Sequence, residues 1–214
     1  MGIYLFSREV LLELLEREAG IDFGRELIPM ALDQYRVSAY LHNSYWADVG
    51  TVESFYEANI MLTEPHAPFS FYHPQQPIYT HPRFLPPSLL IDCDLKQTLV
   101  AEGSYLDRCR VESSVVGIRS TIGSGTVVRR SVLLGADYYE HEHDVPGVTP
   151  PPPHGIGNDV VLDRVIVDKN ASIGDGTRLV NEAGVQQADG DGYHIRGGII
   201  IVPKGAIIPP GTVV

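Results

Sequence analysis

The stretch Val111-Glu-Ser-Ser-Val-Val-Gly-Ile-Arg-Ser-Thr-Ile-Gly-Ser-Gly-Thr-Val-Val128 decides the fold. Its apolar residues Val111, Val116, Ile122 and Val128 return every five or six positions. An α-helix repeats at about 3.6 residues and an ordinary strand at about 2, so neither gives that step. A parallel β-helix does: each short strand sends one aliphatic side chain inward, and the chain then turns a corner. Working outward, Val100 and Leu106 lead into the run and Leu133 continues it. Leu162, Val167, Ile173 and Leu179 resume it, and Ile201, Ile207 and Val213 are expected to close it. Gly103, Gly117, Gly123, Gly125, Gly174, Gly176 and Gly205 fall between these strands, where a glycine can take positive φ at little steric cost. A β-sandwich with regular turns is the alternative, but it would alternate every two residues.

Composition narrows the class. The chain has 214 residues, 43% hydrophobic and 20% charged, which describes a folded globular protein of one large or two modest domains. A net charge of −11 argues against nucleic acid as a partner, because phosphate neutralisation needs a basic face. No apolar stretch reaches the length of a membrane span and no charged-then-apolar leader opens the chain, so no membrane partner is expected. Phe6 stands where a myristoylation signal wants Ser or Thr. The two cysteines, Cys93 and Cys109, read as buried thiols of a reducing cytoplasm rather than as a structural disulfide.

Residues 1–64 read differently from the rest. Positions 3–6 and 37–42 look like short strands. Ser7 can cap a helix reaching about residue 18, with Val10, Leu11, Leu14 and Leu15 on one face. Asp22 can cap a second helix ending before Tyr35, and 53–64 reads as a third. This is the alternation of an α/β domain, with fewer strands than such a sheet needs, as though the chain began partway through one. Residues 65–89 form a proline-rich linker whose aromatics, Phe69, Phe71, Tyr72, Tyr79 and Phe84, suggest packing against a domain. The β-helix occupies 90–214, with a loop expelled at 135–155 and a polar, Gly-rich excursion at 181–192.

Seven segments together resemble one family. They are Met1-Gly-Ile-Tyr-Leu-Phe6, Asp22-Phe-Gly-Arg-Glu-Leu-Ile-Pro29, Tyr45-Trp-Ala-Asp-Val-Gly-Thr-Val-Glu-Ser-Phe-Tyr-Glu-Ala-Asn59, Pro77-Ile-Tyr-Thr-His-Pro-Arg-Phe-Leu-Pro-Pro-Ser88, Ser114-Val-Val-Gly-Ile-Arg-Ser120, Leu134-Gly-Ala-Asp-Tyr-Tyr-Glu140 and Ile166-Val-Asp-Lys-Asn-Ala-Ser-Ile-Gly174. In this order they resemble glucose-1-phosphate adenylyltransferase, or ADP-glucose pyrophosphorylase, over essentially the whole chain. The resemblance implies an α/β nucleotidyltransferase segment followed by a left-handed parallel β-helix, in a homo-oligomer. It also implies that ATP and glucose 1-phosphate become ADP-glucose and pyrophosphate, for glycogen or starch, with Mg²⁺ as the cation.

By the same resemblance, Tyr4, Asp22, Phe23 and Trp46 line the glucose 1-phosphate pocket and Asp48 is the second magnesium ligand. The family's Gly-rich ATP loop, its first metal-binding aspartate and its sugar-phosphate lysine have no counterpart in these 214 residues, so the chain alone is expected to be inactive. The residues themselves agree with a role for Asp48: Gly50 permits a tight turn, Thr51 can cap the next helix, and a carboxylate there suits a hard cation. As an ordinary turn residue Asp48 would need no partner, and Trp46 could be a core aromatic.

Small anionic effectors such as 3-phosphoglycerate and inorganic phosphate act on the plant and cyanobacterial branch. The matching positions here are Arg83, Lys169 and Lys204. His81 stands where glutamine is common in that branch, and Leu89 where lysine is. Solvated surface lysine is the competing reading. Two other functions stay open: a non-catalytic module for oligomerisation and effector binding, and a hexapeptide-repeat acyltransferase using His141, His143 or His154 as base.

Overall fold

The structure, a computed structural model, describes residues 2–16, 22–139 and 153–214. The chain divides into two compact units, Met1–Asp48 and Val49–Val214. Much of the expelled loop, with His141 and His143, lies outside the described residues.

The first unit is helical. Helix α1 runs Arg8–Glu16, and a short π-helical turn at Phe23–Leu27 leads directly into α2 at Ile28–Gln34. Asp22 starts the second helical stretch as expected: its Oδ1 accepts the Arg25 N–H at 2.7 Å, while its own N–H donates to Glu26 Oε2 at 3.1 Å. This reciprocal pairing satisfies two of the donors that a helix start leaves without partners. Leu14, Leu27 and Ala31 form the buried core, with Phe6, Val10 and Tyr35 packed on it. Leu15, expected on the apolar face, is half-exposed. Positions 3–6 and 37–42 are not strands: a strand exists through its ladder, and neither segment pairs with another among the described residues.

In the second unit, helix α3 spans Val52–Met61, and Thr51 and Ser54 cap it reciprocally. Sixteen strands follow among the described residues. They are β1 (Leu89–Ile91), β2 (Asp94–Val100), β3 (Tyr105–Asp107), β4 (Arg110–Val116), β5 (Thr121–Ile122), β6 (Val127–Arg129), β7 (Val132–Leu133) and β8 (Gly155–Ile156); then β9 (Val161–Asp163), β10 (Val165–Val167), β11 (Ser172–Ile173), β12 (Arg178–Leu179), β13 (Gln187–Gly190), β14 (Tyr193–Arg196), β15 (Ile199–Val202) and β16 (Ile207–Ile208).

Apart from β13–β14–β15, the pairs are parallel, and they make three faces. One face is β1-β3-β5-β8-β11-β16. Strands β2 and β4 bend at Gln97 and Ser113, both with positive φ, so each contributes to the other two faces. The ladders stack the inward residues in three columns. They are Leu90↔Leu106↔Ile122↔Ile156↔Ile173↔Ile208, Leu95↔Val111↔Val128↔Leu162↔Leu179 and Val100↔Val116↔Leu133↔Val167↔Val202.

This is the parallel β-helix that the five-to-six step predicts. The last coil departs from the expected positions. Val202 and Ile208 point inward, whereas Ile207 is 52% and Val213 71% exposed. The runs Ile199–Val202 and Ile207–Ile208 offer adjacent aliphatics that periodicity alone does not separate, and a one-residue slip exchanges the faces. The ladder partners below them decide. The excursion at 181–192 also has structure, since it contributes the antiparallel hairpin β13–β14 beside β15.

Corners are built as carefully as faces. Arg108, Gly125, Asp159 and Gly176 stack in one corner column, all with positive φ, and Gly125 N–H donates to Arg108 O at 3.0 Å. Buried hydroxyls serve the inner side of the corners: Ser131 N–H donates to Ser114 Oγ at 3.0 Å, and Val165 N–H to Ser131 Oγ at 3.2 Å. These buried hydroxyls and amides thus find partners within the coil.

Helix α3, read from sequence with residues 1–64, packs on the outside of the β-helix. Its Tyr56 joins Val132, Ile166 and Ile199 in one buried cluster, and the Tyr56 hydroxyl donates to Arg130 O at 2.7 Å. Val132 and Ile166 neighbour inward residues in short strands, so they face outward and need this cover. Between α3 and β1 the proline-rich stretch carries no helix or strand. Tyr79 and Phe84 there are more than nine-tenths exposed, contrary to the expected packing. Prolines hold the segment extended and leave it no ladder to join.

Cys93 and Cys109 stack in the first two coils as free thiols, 3.6 Å apart. Burial, then the hydrogen bond with Cys93, pushes the Cys109 thiol up to about 12. A thiol that stays protonated near neutrality is a poor nucleophile.

Two outcomes follow. Leu162→Ala, which empties a fully buried place in a column, should cost about 2–5 kcal/mol in chemical denaturation, while Leu99→Ala on the half-exposed outer surface should cost under about 1 kcal/mol. At pH 8 a disulfide-type thiol reagent should leave Cys109 unlabelled until denaturant is added; immediate labelling would contradict the buried placement.

Candidate functional site

Within the first unit, the start of the second helical stretch gathers aromatic and acidic side chains. The rings of Tyr4 and Phe23 stack, 6.1 Å between centroids and 16° between planes, and Phe6 lies 5.9 Å from Phe23. Gly24 keeps this packing open: a Cβ there would stand 3.3 Å from the Tyr4 hydroxyl oxygen. Asp22 sits beside Phe23 with one carboxylate oxygen engaged in capping. Tyr4 and Phe23 remain about two-fifths exposed, which leaves ring surface for a ligand.

The expected pocket residues are therefore brought together in part. Tyr4, Asp22 and Phe23 form one group. Trp46 and Asp48 are exposed, and among the described residues no hydrogen bond or ring contact joins them to it. Among those residues no group of three His, Cys, Asp or Glu side chains could hold a metal ion. A magnesium ion keeps several of its waters and takes one or two carboxylates, and Asp48 offers one exposed carboxylate of that kind.

The second unit holds a denser polar cluster on one corner of the β-helix. Lys169 Nζ donates to Asp137 Oδ1 at 2.7 Å and Lys204 Nζ to Asp137 Oδ2 at 2.6 Å. Asn170 fixes the carboxylate from behind: its Nδ2 donates to Asp137 Oδ2 at 3.2 Å, and its Oδ1 accepts the Asp137 N–H at 2.8 Å. The hydrogen bonds from Lys169 and then Lys204 hold the Asp137 carboxyl well below the usual carboxylate range. Asp137 in turn raises the Lys204 ammonium.

Lys169 and Lys204, expected at an anion site, thus meet at one point. Arg83 is exposed ahead of β1 and enters no ion pair among the described residues. Asp137 is the residue that sequence reasoning missed. The signal was there: it precedes Lys169 by 32 positions and Lys204 by 67, close to whole numbers of coils once the two insertions are counted.

A small cavity opens nearby, lined by Arg119, Ser120, His154, Asp168 and Ala171. Arg119 Nε and His154 Nδ1 are buried there and have no hydrogen-bond partner among the described residues. The His154 ring packs edge-on against Tyr138, 5.2 Å between centroids.

Comparison with family models places these features. Residues 83–213 match the GLGC left-handed parallel beta-helix domain. The chain belongs to that family. Residues 1–64 match the nucleotidyl transferase family. The two together are an ADP-glucose pyrophosphorylase-like architecture, within the sugar-phosphate nucleotidyltransferases. The match also supplies the hand of the coil. No helix among the described residues is long and apolar enough to cross a membrane.

The carboxylate at Asp137 yields a pH test with a definite sign. Its folded pKa is depressed, so its contribution to stability is complete above the unfolded carboxylate range, near about 4, and is lost as pH falls below it. The stability difference between wild type and Asp137→Asn, from urea denaturation, should stay level between pH 8 and 5 and shrink below pH 4. A difference that grew with acid would contradict the pairing.

Proposed function

We propose that this chain carries the sugar-binding wall and the effector-binding domain of a glucose-1-phosphate adenylyltransferase, which makes ADP-glucose and pyrophosphate from ATP and glucose 1-phosphate for glycogen or starch. The observation that carries this reading is the pairing, in one chain and in this order, of a nucleotidyl transferase segment with a β-helix of the GLGC type. Supporting it, Tyr4 and Phe23 present stacked rings beside the Asp22 carboxylate, a combination suited to a sugar's apolar face and hydroxyls.

In this reading Trp46 completes the glucose 1-phosphate pocket, and Asp48 gives one ligand to Mg²⁺ in the complete enzyme. That ion would neutralise charge on the reacting phosphates. Arg83, Lys169 and Lys204 receive small anionic effectors, and the protein works as a cytoplasmic homo-oligomer. These 214 residues by themselves make no ADP-glucose, because they bring one metal carboxylate and no Gly-rich loop for the ATP phosphates. A second reading, a module for oligomerisation and effector binding without chemistry of its own, draws on the self-contained core of the β-helix.

Trp46 is the chain's one tryptophan, so if it completes the pocket its fluorescence reports sugar binding. Titration with glucose 1-phosphate should give a saturable change that Tyr4→Ala or Asp22→Asn weakens about tenfold or more. No change up to about 10 mM sugar phosphate would overturn the pocket and leave the non-catalytic module. In a pyrophosphate-release assay the purified chain should show no turnover, and measurable ADP-glucose synthesis would refute its incompleteness.

A further inference from the structure

We infer that Asp137 is a built-in counter-anion: it occupies the Lys169–Lys204 pair, and an external dianion binds there by displacing it. This rests on the reading of that pair as an effector site and adds the element that sets its threshold.

The lysines are held together by the coil. Asn170 N–H donates to Gly135 O at 3.0 Å and Gly205 N–H to Lys169 O at 3.0 Å, so three consecutive turns stack at this corner. Each turn has a residue with positive φ: Gly135, Asn170 and Gly205. Neighbouring strands lie about 4.8 Å apart, so the two lysine stems leave the surface at close quarters and their like charges repel. A carboxylate between them relieves the repulsion but supplies one negative charge against two positive ones. A dianion such as phosphate supplies both charges and more acceptor oxygens.

Access favours exchange. The Lys204 side chain is 58% exposed and Asp137 33%, so solvent reaches the cluster and its ion pairs are weak enough to be exchanged. The neighbouring Asp168 is turned to the backbone, its Oδ1 accepting the Lys169 N–H at 2.7 Å. Asp137 is therefore the carboxylate that both ammonium groups hold. The bond from its own N–H to Asn170 Oδ1 anchors its backbone, so its side chain can release the lysines without unravelling the corner.

The test is calorimetric titration of the full 214-residue chain with inorganic phosphate at constant ionic strength and pH 8. Asp137→Asn should bind phosphate about tenfold more tightly than wild type, corresponding to about 1.4 kcal/mol. Asp137→Glu, which keeps a competing carboxylate, should stay near wild type, and so should Asp168→Asn. Adding Lys169→Gln and Lys204→Gln to Asp137→Asn should abolish the gain. If the Asn variant fails to fold, judged by circular dichroism, Asp137→Ser gives the same comparison. Equal, lysine-dependent affinity in wild type and Asp137→Asn would overturn the counter-anion and leave the effector site standing. Phosphate binding that is absent throughout, or indifferent to the lysines, would overturn the site and the counter-anion together.

Discussion

The second unit depends on one constraint: parallel ladders place an aliphatic side chain of each coil directly over that of the coil before. Inward positions of the middle coils are then covered above and below by a residue of their own kind. Leu106, Val111, Val116, Ile122, Val128 and Leu162 are fully buried for this reason. Burying such a side chain contributes about 1.5–3 kcal/mol, and short strands with a single inward residue can be stable only because the gain recurs coil after coil. The first coil, with no strand paired on its outer side among the described residues, leaves Leu90 and Leu95 partly exposed although they continue the same columns.

The same stacking organises the polar chemistry. Corners repeat at the coil pitch, so residues far apart in sequence stand over one another, and a corner side chain meets its counterparts one and two coils away. Asp137, Lys169 and Lys204 are such a column. On another corner Arg130 and Asp163 pair at 2.6 Å, and Arg164 lies over the Tyr56 ring at 5.5 Å where α3 docks. A β-helix is in this sense a device for converting a sequence period into a row of adjacent side chains. Charged residues placed at that period become a cluster with no loop to assemble them.

What could be read from the sequence follows from the same physics. The step of five or six was legible from Val100 to Leu179 because a strong aliphatic holds the column position on each face of the coils there. It failed at Ile201, Ile207 and Val213, where neighbouring aliphatics compete and only pairing with Val167 and Ile173 separates them. Helix caps at Asp22 and Thr51 were legible because they are local. The docking of α3 was not, since it answers to Val132 and Ile166, residues whose outward direction is known only once the coil is built. In the candidate site, Tyr4, Asp22 and Phe23 gather around a local turn, whereas the pairing of both lysines with Asp137 needs the coil pitch and both insertions.

The most direct test of the stacked coil is methyl-to-methyl nuclear Overhauser contact in a sample labelled at Val and Leu methyl groups. In the stacked coil Val128 contacts both Val111 and Leu162, neighbours in its column at separations of 17 and 34 residues. Contacts of Val128 confined to residues close in sequence, or ordered as in antiparallel hairpins, would contradict it.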